Sequence, residues 1–224
     1  MTLFPKGGLI VSCQARADNP LHGPVFMAAM AEAAEDGGAV ALRVNGGEDI
    51  AAIKAVTHLP VIGILKMFDH DPVYITPTTA AVEYVAEAGA DIIAYDATFR
   101  ARSKGDDPAE VLKRIHDLGK LAFADISTFE EGLAAADAGA DFVATTLAGY
   151  TAETAETRTI GPDLKLVEQL SSRLSIPVIA EGRYNTPELA ASGLNAGAYA
   201  VVVGTMITNP REITRSFVQG LQQG

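Results

Sequence analysis

The chain has 224 residues, 48% of them hydrophobic, which is ample for a sizeable core and fits one α/β barrel as well as two smaller domains. Lys and Arg number 17 against 28 Asp and Glu, and a net charge of −11 argues against nucleic acid or an anionic membrane surface as a general partner. A single cysteine, Cys13, excludes an intrachain disulfide and a thiolate metal cluster, and with no apolar leader in residues 1–8 the expected setting is the cytoplasm.

Taken in order, apolar β-rich runs fall at 8–13, 39–44, 60–65, 91–95, 121–125, 142–145, 177–180 and 200–203. Between and after them lie stretches with helical apolar spacing at 25–35, 78–88, 109–118, 129–137, 164–174, 187–195 and 210–221. Gly38, Gly89, Gly139 and Gly197 recur just before strands, as glycines closing a helix would. Thr78, Ser127-Thr128 and Thr186-Pro187 read as helix starts. No linker or change of composition divides the chain, so residues 1–224 read as one domain, a closed (β/α)8 TIM barrel of the phosphate-binding type.

A barrel predicts chemistry at one rim. The strand ends carry Gln14, Arg16, Arg43, Asn45, Lys66, Asp96, Asp125, Thr145, Thr146, Glu181, Arg183, Gly204 and Thr205, whereas the strand starts carry Gly, Ala, Pro and Leu. Gly182-Arg183 after the seventh strand and Gly204-Thr205 after the eighth match the paired loops that bind phosphate in barrels. Lys66 leaves an apolar strand, where loss of water favours the neutral amine; it is a candidate base, Schiff-base nucleophile or phosphate counter-ion. Glu181 is its carboxylate counterpart, or else the partner of Arg43 or Arg183 in a rim salt bridge. Asp125 either binds a sugar hydroxyl or caps the helix after it. The four histidines, His22, His58, His70 and His116, have no metal-ligand spacing, and no metal or other cofactor is expected.

The runs 7–14, 72–78, 88–94, 124–128, Thr145-Thr146-Leu147-Ala148-Gly149-Tyr150-Thr151 and Ile179-Ala180-Glu181-Gly182-Arg183-Tyr184-Asn185-Thr186-Pro187 resemble those of the N-acylglucosamine-6-phosphate 2-epimerase family, also called N-acetylmannosamine-6-phosphate 2-epimerases. The resemblance implies a (β/α)8 barrel that interconverts N-acetyl-D-mannosamine 6-phosphate and N-acetyl-D-glucosamine 6-phosphate in sialic-acid catabolism, without nucleotide or metal. It implies Lys66 as the base at carbon 2 and Glu181 as its assistant. Gln14 and Arg43 would then hold the carbonyl and N-acetyl region, Asp125 the sugar hydroxyls, and Gly182, Arg183, Gly204 and Thr205 the phosphate. It also favours a homodimer. The chain departs from the family pattern at Met67 and Asn209, where many members carry basic residues. Two rival functions share the pocket: a Schiff-base aldolase acting on a sugar phosphate, and a non-catalytic sensor of amino-sugar phosphates.

Overall fold

A computed structural model describes residues 3–70, 72–158 and 161–222. Eight parallel strands close into a barrel in sequence order: β1 (Gly8–Cys13), β2 (Ala41–Asn45), β3 (Val61–Ile64), β4 (Ile92–Asp96), β5 (Leu121–Asp125), β6 (Phe142–Ala144), β7 (Val178–Glu181) and β8 (Ala200–Val203), with β8 pairing back onto β1. The helices between them are α1 (Pro24–Asp36), α2 (Gly47–Lys54), α3 (Thr79–Glu87), α4 (Pro108–Asp117), α5 (Phe129–Asp137), α6 (Leu164–Arg173) and α7 (Pro187–Asn195). A one-turn α8 (Thr205–Thr208) and α9 (Pro210–Gln222) follow β8.

All eight expected strands are present, with no bound shifted by more than two residues. Eight helices are expected to alternate with the strands, but the sequence pattern gives no bounds for the one between the second and third, which is α2: it has only eight residues and opens at Gly46-Gly47. The recurring glycines do close helices: Gly38, Gly89, Gly139 and Gly197 have φ between 91° and 104°. The amide after each one reaches back to the carbonyl five residues earlier, as in Ala90 N–H to Val85 C=O and Ala140 N–H to Ala135 C=O. Thr78, Thr128 and Thr186 cap α3, α5 and α7 with their side chains, Thr128 through a capping box with Glu131. Asp125 is therefore not the cap of α5.

Strand alternation divides the core into two layers. Ile10, Ile62, Ile64, Ile92, Phe123, Phe142, Ile179 and Val202 fill the barrel, while Val11, Leu42, Val44, Val61 and Ile93 face the helices. Phe4, stacked on Phe142 with ring centroids 5.6 Å apart, plugs the N-terminal end. With that end filled, the open end is the one where the strands finish.

Candidate active site

A cleft of about 1090 Å³ opens at the C-terminal rim, lined among others by Gln14, Asn45, Lys66, Thr146, Glu181, Gly182, Arg183, Gly204 and Thr205. Seven of the nine predicted site residues line it. The other two, Arg43 and Asp125, lie beneath its floor, 1% and 0% exposed.

Arg43 enters the barrel from β2, over the Phe123 ring at 5.2 Å. Its Nη1 donates to Asp125 Oδ1 at 2.9 Å and to Glu181 Oε2 at 2.6 Å, and Nη2 donates to Asp125 Oδ2 at 2.6 Å. One guanidinium thus serves two carboxylates, from β5 and β7, and the fork with Asp125 fixes its plane. The Thr146 hydroxyl donates to Asp125 Oδ1 at 2.5 Å. The rim salt bridge between Glu181 and Arg43 exists, and Asp125 is occupied by Arg43 and Thr146. The Thr145 hydroxyl accepts from the Glu181 amide at 3.1 Å and donates to its carbonyl at 3.0 Å, so β6 fixes the backbone from which Glu181 projects. Burial raises the Glu181 pKa against the pull of Arg43, and Asp125 nearby adds to the rise.

Lys66 stands two residues beyond β3, where the chain doubles back. It forms an antiparallel bridge with Ile75, and the next amide, Met67 N–H, donates to Tyr74 C=O at 2.8 Å. Among the described residues its Nζ has no hydrogen-bond partner. Burial, reinforced by the charge of Arg43, pushes the amine pKa down from 10.5 to about 8. A half-buried amine that is partly neutral near physiological pH, facing a cleft beside a carboxylate, is equipped to take up and return a proton.

At the opposite side of the cleft, Gly182 has φ 109° and Arg183 φ 62°. The turn lets Arg183 donate from Nε to Gly161 C=O at 2.7 Å and from Nη1 to Ala148 C=O at 2.8 Å, with its guanidinium 5.3 Å from the Tyr150 ring centroid. Those carbonyls orient the group without neutralising it. Gly204 precedes α8, whose first amides, Thr205 and Met206, have no intrahelical acceptor. A side chain at Gly204 would meet Ser12 Cβ at 3.1 Å. The Gln14 amide donates to Ser12 Oγ at 2.9 Å, and its buried Oε1 has no partner among the described residues.

Other candidates fall outside this cluster. Asp96, lifted by burial, is paired with Arg100 at 2.5 Å and holds the loop after β4. His70 pairs with its neighbour Asp69, and the exposed His116 sits 3.0 Å from Asp141 at the N-terminal rim. Among the described residues no group of three or more His, Cys, Asp or Glu could hold a metal ion. The sequence reading did not single out Asn45 and Thr146, although both stand at strand ends; their partners, Lys66 and Asp125, come from other strands.

The parallel barrel with an acid–base cluster under one rim defines a (β/α)8-barrel enzyme built for proton transfer to and from a small substrate. The chain belongs to the NanE family, whose profile, described as "Putative N-acetylmannosamine-6-phosphate epimerase", matches residues 27–223. It is 52% identical over 221 residues to a relative from Caldanaerobacter subterraneus subsp. tengcongensis described as a 2-epimerase of the same substrate, covering 97% of this chain and 92% of that protein. The solved N-acetylmannosamine-6-phosphate 2-epimerase from Clostridium perfringens superposes with a TM-score of 0.92 at 46% identity, covering 96% of this chain and 94% of that one. A thiamine phosphate pyrophosphorylase from Pyrococcus furiosus, at 19% identity and a TM-score of 0.64, shares the fold.

Proposed function

We propose that this chain interconverts N-acetylmannosamine 6-phosphate and its carbon-2 epimer, N-acetylglucosamine 6-phosphate, within the cytoplasmic breakdown of amino sugars. The observation that carries the reading is the Lys66 amine, without a partner among the described residues and with its pKa lowered to about 8, facing the cleft beside Glu181. The hydrogen at carbon 2 becomes acidic when the sugar is open and carbon 1 is an aldehyde. Lys66 takes that proton, and the electron pair of the C–H bond moves into the carbonyl to give an enolate. Glu181, whose pKa burial raises against the pull of Arg43, is the candidate assistant beside Lys66, in ring opening or in placing the amine. Arg43 acts from beneath, holding Glu181 and Asp125 and supplying fixed positive charge. Return of the proton to the opposite face of carbon 2 completes the inversion. Gln14, whose Oε1 has no partner among the described residues, is the candidate contact for the N-acetyl N–H, and Gly182, Arg183, Gly204 and Thr205 for the phosphate.

Incubating either hexosamine phosphate with the protein in D₂O tests the reading. Deuterium at carbon 2 with formation of the epimer is expected. Unchanged sugar despite measurable binding would leave a sensor, and borohydride trapping of substrate on Lys66 would leave a Schiff-base aldolase.

The protein is also proposed to act as a homodimer. No described residue of α9 is buried, and Phe217 and Leu221 on it are 72% and 84% exposed. A face of that kind wants a partner surface. Sedimentation at micromolar concentration should give twice the chain mass, and a monomer under those conditions would remove this part of the proposal. No helix among the described residues is long and apolar enough to cross a membrane.

A further inference from the structure

Among the described non-glycine residues, only Thr76 and Arg183 have positive φ, at 43° and 62°. Thr76 is the more costly, because a β-branched side chain crowds the backbone in the left-handed region. Such a residue persists where its surroundings over-determine it, and here they converge on one neighbour. The Thr76 amide donates to the Leu65 carbonyl at 2.8 Å, and the Thr76 hydroxyl accepts from the Leu65 amide at 3.1 Å. Both polar groups of the residue before Lys66 are therefore held by a single threonine that is 1% exposed. From the other side, Asn45 at the end of β2 accepts the Lys66 amide through Oδ1 at 2.8 Å. The Asp96 amide donates to the Ile75 carbonyl at 3.0 Å, tying the returning strand to β4. The backbone of Leu65 and Lys66 is thus fixed from β2, β4 and the returning segment at Ile75-Thr76, while the amine at the end of the side chain has no partner among the described residues.

We propose that Asn45 and Thr76 are positioning residues for Lys66: they fix the point from which its side chain leaves the backbone and reaches the cleft. The inference rests on Lys66 being the base. Ending β3 neatly does not require this arrangement, since glycine would adopt the same backbone at position 76 without strain. Asn45, for its part, lines the cleft yet spends its side-chain oxygen on a backbone amide. Thr145 brackets the Glu181 backbone in the same way. Both proton-handling groups are thereby mounted on a threonine-locked peptide.

The experiment uses the full chain and the variants Asn45→Ala, Thr76→Gly and Thr76→Ser, each checked for folding by circular dichroism. Asn45→Ala and Thr76→Gly should lower kcat by about 10- to 100-fold with KM within twofold of the parent, because a small misplacement of a reacting group costs rate and not ground-state binding. Thr76→Ser keeps the hydroxyl and should stay within about threefold of the parent. A second readout needs no turnover: acetylation of Lys66 by limiting acetic anhydride across pH, quantified by peptide mass spectrometry. Its midpoint should rise in Asn45→Ala and Thr76→Gly as the amine is released towards water. If Thr76→Gly does not fold, Asn45→Ala and Thr76→Ser carry the test. Unchanged kcat and an unchanged midpoint in Asn45→Ala would overturn the proposal, as would a rise in KM alone, which would make Asn45 a substrate contact. If the parent protein fails to epimerise while the midpoint still moves, the positioning role stands and the epimerase reading falls.

Discussion

Both rims of the barrel carry ionisable side chains, the N-terminal one too, where the sequence reading expected only Gly, Ala, Pro and Leu, and they use them in opposite ways. At the N-terminal rim, Asp91 accepts from the Val61 amide and from Lys54 Nζ, both at 2.9 Å. Fifty residues on (141 − 91), Asp141 accepts from the Ala122 amide at 2.8 Å and meets His116 at 3.0 Å. Each acid there has one strand amide and one base, and each is about a third exposed, at 31% and 33%. At the C-terminal rim one guanidinium serves a buried carboxylate and a largely buried one, and the lysine amine has no partner among the described residues. Satisfied, water-screened charges pin strands together; charges left short of partners in a dry place are held ready for a substrate.

The sharpest way to break this contrast is Lys66→Ala. Deuterium exchange at carbon 2 should fall by about 10²- to 10⁴-fold, the usual contribution of a general base, while substrate binding measured by calorimetry persists. Full exchange in that variant would return Lys66 to the ordinary surface lysines. Next in size is Arg43→Met, which strands Asp125 beneath the cleft and leaves Glu181 at its wall without its cation. Removing one side of a buried ion pair costs about 3–5 kcal/mol, so the variant should melt well below the parent, and an unchanged melting temperature would show that the pair is not buried in solution.

The pH dependence follows from Lys66 with a definite sign. A base works when neutral, so kcat should rise with pH through about 8. Stability carries the same signature. The folded pKa lies below the unfolded value of 10.5, so between pH 8 and 10.5 the unfolded chain binds the proton that the fold has released, and stability rises with pH. Below pH 8 the fold bears the full penalty, on the order of 3 kcal/mol, and Lys66→Met should recover part of it in urea melts at pH 7. A variant no more stable than the parent there would mean that the amine is well solvated. The smallest effect belongs to the other rim. Asp91→Asn or Asp141→Asn should cost about 1 kcal/mol of stability and leave kcat/KM unchanged, and a loss of activity would show that the two rims are coupled.

Much of this was legible in the residues, for reasons that differ from part to part. The strands announce themselves because a parallel sheet buried on both faces needs continuous apolar runs such as Val61-Ile62-Gly63-Ile64. The rim announces itself because the polar residues gather where those runs end. The short α2 was legible in the count of helices but not in its bounds, since two glycines mask its start. Nor was the depth of Arg43 and Asp125: strand-end position gives the rim but not whether a side chain lies in the floor or the mouth. Asn45 and Thr146 were visible as polar strand ends, but nothing local ties Asn45 to the amide of Lys66, twenty-one positions away. Thr76 hid most completely, because its role depends on a left-handed backbone that a β-branched residue does not advertise.

The lone cysteine at the end of β1 lends itself to timing. Cys13 is 0% exposed, in the layer between barrel and helices, and burial, with Asp49 adding to it, holds its pKa up at about 12. A thiol reagent at pH 8 therefore meets neither thiolate nor access while β1 stays packed under α1. With no other sulfhydryl in the chain to confuse the signal, the pace of modification in native buffer becomes a clock on how often the barrel opens.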